Sequence, residues 1–127
     1  LDAQGIAGVS NGAIGLLDEV ATGKISGEED WWSGTDLYDF AANVEGSKMA
    51  FSLVQDFATS SGTEGASLVQ KIQTGYDDLD ASLAKHGSLT TGFVNYSQLT
   101  EADKREFTDL INALAEPLSK LTSTILE

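Results

Sequence analysis

The chain has no cysteine, which excludes disulfides and thiolate metal sites. It has one histidine, His86, so neither the His-Glu-x-x-His pair of a zinc peptidase nor the Glu-x-x-His pairs of a di-iron carboxylate bundle can be assembled from it. Cations are scarce: seven Lys and Arg stand against twenty Asp and Glu, a formal net charge of −13. Such a field disfavours nucleic acid and anionic membrane surfaces and suits a cation or a basic protein. No run approaches the roughly 18 apolar residues of a membrane span, and none resembles the basic and apolar regions of a signal peptide. The stretch "SGTEGASL" lacks the Lys and the preceding strand of a phosphate loop. The chain opens with Leu1, which marks a processed mature chain or a piece of a longer one.

What is present is helical periodicity. The 127 residues suffice for one core, and residues 1–127 are expected to form a single helical domain. Ile6, Val9, Ala13, Leu16, Leu17 and Val20 recur at spacings of three and four, as on an amphipathic helix. Gly5, Gly8, Gly12 and Gly15 follow a neighbouring stripe. Each costs about 1 kcal/mol against Ala in a helix interior, so the stripe predicts a close approach by another helix, the alternative being a frayed end. A second helix is expected from an N-cap at Thr35 to about Thr59, on Leu37, Phe40, Val44, Phe51 and Val54, ending at Ser60-Ser61-Gly62-Thr63. A third carries Leu68 or Val69, Ile72, Tyr76, Leu79 and Leu83, with Gly87 placed for a left-handed C-cap. After a connection with Phe93 and Tyr96, Thr100 and Asp103 predict a capping box opening the last helix. That helix has the most regular stripe of all, from Phe107 through Leu110, Ile111, Leu114, Leu118 and Leu121 to Ile125, with Pro117 expected to bend it. Four such helices with short connections and no alternating strand pattern read as an all-α, up-and-down four-helix bundle.

The chemistry concentrates in "GKISGEEDWWSGTDLYDFAANVEGS", Gly23 to Ser47. Asp36, Asp39 and Asn43 lie at i, i+3 and i+7 and share one helix face, about 100° from the core stripe. Glu28, Glu29 and Asp30 precede the helix, where its dipole favours negative charge. Together they make an all-oxygen donor set suited to hard cations such as iron(III), calcium, magnesium or manganese. Ordinary capping and dipole chemistry accounts for the same acids. Trp31-Trp32 read either as a lid on the core or as a stacking platform for a sugar ring, or a wall that keeps water from a metal. His86, beside Gly87 at a helix end, suits an interaction with the C-terminal dipole better than metal ligation. Asp77, Asp78 and Asp80 read as a solvated face.

Three blocks, "LLDEVATGKISGEED", "TDLYDFAANVEGS" and "GFVNYSQLTEADKREFTDLINALAEPLSKL", resemble in order and spacing the C-terminal half of the imelysin-like domain found in EfeO- and EfeM-type proteins of the Efe iron-uptake system. The resemblance implies an all-helical domain of two bundle halves with a site between them, this chain being one half and an N-terminal half carrying the family's His-x-x-Glu motif being its partner. It implies a periplasmic or cell-surface location, as a lipoprotein or secreted protein, and iron as Fe2+ or Fe3+, with other divalent cations possible. It also implies an iron permease and peroxidase-like proteins as partners, with no enzymatic activity. The matching acids expected to hold metal are Glu28, Glu29, Asp36 and Asp39. Where relatives often have His in an aromatic-Ser-His-Thr-Asp run, this chain has Gly34, so an imidazole that could ligate or orient a carboxylate is missing. Binding of an alginate-like polysaccharide and a metallopeptidase-like activity stand as the alternative functions.

Overall fold

The computed structural model describes residues 2–19, 36–60, 62–94 and 99–126. The helices are α1 (Ala3–Glu19), α2 (Asp36–Ser60), α3 (Thr63–Ala84) and α4 (Glu101–Leu126). They form an all-α four-helix bundle in which α1 packs on α2 and α4, and α3 packs on α4 and α2. The helix ends follow from local chemistry. Asp2 Oδ1 accepts from the Gly5 N–H and caps α1. Thr100 and Asp103 form the expected reciprocal box at α4: the Asp103 N–H donates to Thr100 Oγ1 at 3.0 Å, and the Thr100 N–H donates to Asp103 Oδ2 at 2.9 Å. α4 continues through Pro117 as far as Leu126. Among the described residues no helix is long and apolar enough to cross a membrane.

The core is built from the stripes the sequence presents. Leu37, Phe40, Val44, Phe51 and Val54 of α2 are buried, as are Leu68, Val69, Ile72, Tyr76, Leu79 and Leu83 of α3. Phe107, Ile111, Leu114, Leu118, Leu121 and Ile125 of α4 close it, and Leu110 packs at its edge. Phe40 and Phe107 meet edge to face with centroids 5.3 Å apart. Two buried polar links cross this core. Ser10 of α1 bonds Thr122 of α4 at 2.7 Å, and Thr122 in turn donates to the Leu118 carbonyl. Ser47 of α2 donates to the Ala13 carbonyl at 2.8 Å and, its only proton used, accepts from the Tyr76 hydroxyl at 2.6 Å.

Two expectations are corrected. Among the described residues no helix approaches Gly8, Gly12 or Gly15 of the α1 stripe: a Cβ added at any of them would meet nothing within 4 Å. Close approach occurs elsewhere, at Gly75, where a Cβ would lie 2.9 Å from Leu114 Cδ1, and at Gly46, 3.3 Å from Leu16 Cδ1. The connection after α3 is a small antiparallel hairpin, β1 (Gly87–Ser88) with β2 (Gly92–Phe93), which no alternation announced. α3 itself ends in right-handed geometry at Lys85, with the Lys85 and His86 N–H groups donating to the Ser82 and Leu83 carbonyls. Gly87 is at φ +137°, and a Cβ there would sit 2.2 Å from the Gly92 carbonyl oxygen, so its glycine serves the hairpin rather than a helix cap. Tyr96 lies outside the described residues, while Phe93 is half-buried and packs on the core.

Candidate functional site

The expected site lies at the start of α2. Leu37, Phe40, Ala41 and Val44 face the core, which fixes the rotation of the helix and turns the opposite side to solvent. Asp36 is the first residue of α2, its side chain outside what the structure describes; Asp39 is exposed one turn later. Glu28, Glu29, Asp30, Trp31, Trp32 and Gly34 lie outside the described residues. Asn43, on the same stripe as Asp39, leans toward α1 and donates from Nδ2 to the Leu16 carbonyl at 3.3 Å. Tyr38 is 44% exposed and meets Phe93 edge-on at 6.5 Å, linking the start of α2 to the hairpin. Among the described residues no group of three or more His, Asp and Glu side chains converges in a way that could hold a metal ion.

Two polar clusters near this end of the bundle escaped the sequence reading. On α2, Lys48 Nζ pairs with Asp80 Oδ2 of α3 at 2.8 Å. The hydrogen bond from Asp80, with the fields of Glu45 and Asp77 behind it, raises the Lys48 pKa against the opposing effect of burial. Asp77 and Asp78 are exposed as expected, but Asp80 is half-buried and paired. A recess of about 200 Å³ opens between α2, α3 and the hairpin, with Glu45 and Asp80 on its walls and Phe93 beside them.

The second cluster joins the end of α3 to the start of α4. Glu106 accepts from the Ser82 hydroxyl and from Lys85 Nζ, at 3.2 Å for the latter, and these bonds hold its carboxyl below the usual range. Asp103 is likewise lowered, chiefly by the Thr100 N–H. His86 Nε2 stands 4.0 Å from Asp103 Oδ1, and its ring lies edge-on to Phe107 at 5.6 Å. Its surroundings are therefore the α4 capping box and the core edge. Neither cluster is visible in a linear reading, because each depends on the register between two helices.

Comparison with known proteins supplies the family. The family model described as Imelysin matches residues 2–121. The chain is 43% identical over 117 residues to "Iron uptake system component EfeO" of Escherichia coli O1:K1 / APEC, covering 92% of this chain and 30% of that protein. It is 39% identical over 110 residues to "Efem/EfeO family lipoprotein" of Staphylococcus aureus strain USA300, covering 87% of this chain and 38% of the relative. The chain thus spans about a third of the length of these relatives. With a family model matched along nearly the whole sequence and a helical bundle beneath it, the chain belongs to the imelysin family.

Proposed function

We propose that this chain is the C-terminal helical half of an imelysin-like domain in an extracytoplasmic component of an Efe-type iron-uptake system. It holds iron, as Fe2+ or Fe3+, through Glu28, Glu29, Asp36 and Asp39 and passes it to a membrane permease. The observation that carries this reading is the 43% identity, over 92% of the chain, to a protein named as an iron-uptake component. Physical chemistry supports it: a net charge of −13 attracts cations, and carboxylate oxygens suit a hard metal ion. The exposure of Asp39 leaves its carboxylate accessible to a metal and to acids from a neighbouring segment.

In this reading the protein binds and releases its cargo without chemical turnover, and it works in the periplasm or at the cell surface. The N-terminal half of the domain completes the site, and the permease and a peroxidase-like protein are its partners. The test is calorimetric titration of the chain with ferrous and ferric iron, calcium and zinc, beside an Asp36→Asn, Asp39→Asn double variant. Iron uptake that the variant loses is the expected result; iron uptake equal in both proteins removes the two aspartates from the site.

A further inference from the structure

We propose that the outer side of α2, centred on Met49 and Leu53, is the surface on which a helix of the N-terminal half of the domain packs, an inference that rests on reading this chain as one half. α2 carries two apolar stripes. The first, from Leu37 to Val54, is buried in the bundle. The second is Ala42, Gly46, Met49 and Leu53, spaced four, three and four apart, the alternation that gives a helix a seam for one neighbouring helix. A bundle helix with one buried face normally turns a polar face to water, so a second seam calls for a second partner. The bundle supplies none. Met49 is 64% and Leu53 73% exposed, the two most exposed large apolar side chains among the described residues.

The surface beside the seam is free of charge. α1 lies alongside it, with Leu16 against Gly46 and the Ala13 carbonyl holding Ser47, and from Gln4 to Leu17 α1 has no charged residue. This selects the occupant. A basic protein would dock where the carboxylates are, and a second copy would bring one charge of −13 against another. A segment of the same polypeptide needs no charge attraction, because its link keeps it at high local concentration and a modest apolar patch then suffices. The relatives continue well beyond the third of their length that this chain spans. Three residues before Ala42 the same stripe begins at the exposed Asp39, so a helix seated on the seam reaches the turn of α2 that bears this carboxylate.

The test introduces one thiol at a time, by Leu53→Cys on the seam, Asp78→Cys on α3 or Asn112→Cys on α4, all exposed positions of a chain that has no cysteine. Labelling by a maleimide is followed at each position by mass spectrometry, in this chain alone and in the full-length polypeptide of which it is the C-terminal half. The thiol of Leu53→Cys is expected to react about tenfold or more slowly in the full-length polypeptide, and the other two at unchanged rates. Hydrogen exchange of both polypeptides keeps the two readings apart. Exchange slowed in the full-length polypeptide but not in α2, with Leu53→Cys unprotected, would place the interface elsewhere and overturn the proposal alone. If no segment of the chain is slowed, the half-domain reading falls and the proposal falls with it. Protection of Leu53→Cys in this chain alone that grows with its concentration would give the seam to a second copy and overturn the proposal as well.

Discussion

The Tyr76 hydroxyl donates to Ser47 Oγ at 2.6 Å in the middle of the bundle, with both residues buried. Burial pushes the phenol up from 10 to about 12. In the unfolded chain Tyr76 ionises near its ordinary value, so above pH 10 the unfolded state sheds a proton the folded state keeps. The stabilisation is complete below pH 10 and is lost progressively as pH rises toward 12. Urea unfolding at pH 8, 10 and 11.5 is expected to show a loss of about 2 kcal/mol attributable to this residue. Tyr76→Phe should flatten that part of the profile, and an unchanged alkaline slope in the variant would assign the loss to other groups.

Gly75 and Gly12 should respond to alanine in opposite directions. At Gly75 the new methyl meets the buried Leu114 side chain at 2.9 Å, and overpacking of this kind costs about 1–3 kcal/mol, more than the gain in helix propensity returns. At Gly12 the methyl meets open space, and the helix gains up to about 1 kcal/mol. Denaturant midpoints of the two single variants decide the matter; a loss at Gly12 would show that a partner occupies that face in solution.

Acid should unfasten the junction of α3 and α4. The carboxyls of Asp103 and Glu106 both lie below their ordinary values of 3.8 and 4.5, so the stability they add is present above those values and is lost as pH falls through the folded-state values. Thr100→Ala removes the hydroxyl of the capping box, and Ser82→Ala removes the hydroxyl bond that does most to lower Glu106. Each is expected to lower the thermal midpoint at pH 7 more than at a pH below both folded-state values, where the carboxyls are protonated in either protein. Equal losses at both pH values would place the effect in packing instead.

The elements that could be read from the sequence are those whose signal lies within one helix. Phe107 to Ile125 repeat with the helical period and are buried as the period requires, and Thr100 with Asp103 announces its own cap. The hairpin could not be read that way, since strands of two residues are too short to alternate. Its turn is held instead by Ser88 Oγ, which accepts from the Thr91 N–H. The α1 glycines misled because periodicity reports a shared stripe without reporting what faces it. The spacing of Asp36 and Asp39 put both in the first turns of α2, where Asp39 is exposed and no metal-holding group converges among the described residues. That Asn43 turns from this stripe to the end of α1 depends on how two helices dock, which no single-helix pattern contains.

α1 buries few large side chains, and its outer side is largely glycine, so apolar contact alone would leave it nearly free to slide along its neighbours. A slip by one turn, about 5.4 Å, would part Ser10 from Thr122 and Ala13 from Ser47, costing the Ser10 hydroxyl its bond in the core and leaving Thr122 and Ser47 with Leu118 and Tyr76 alone. The two pairs act like the wards of a lock: they add little to the force holding the helix, and they admit it in one seat only.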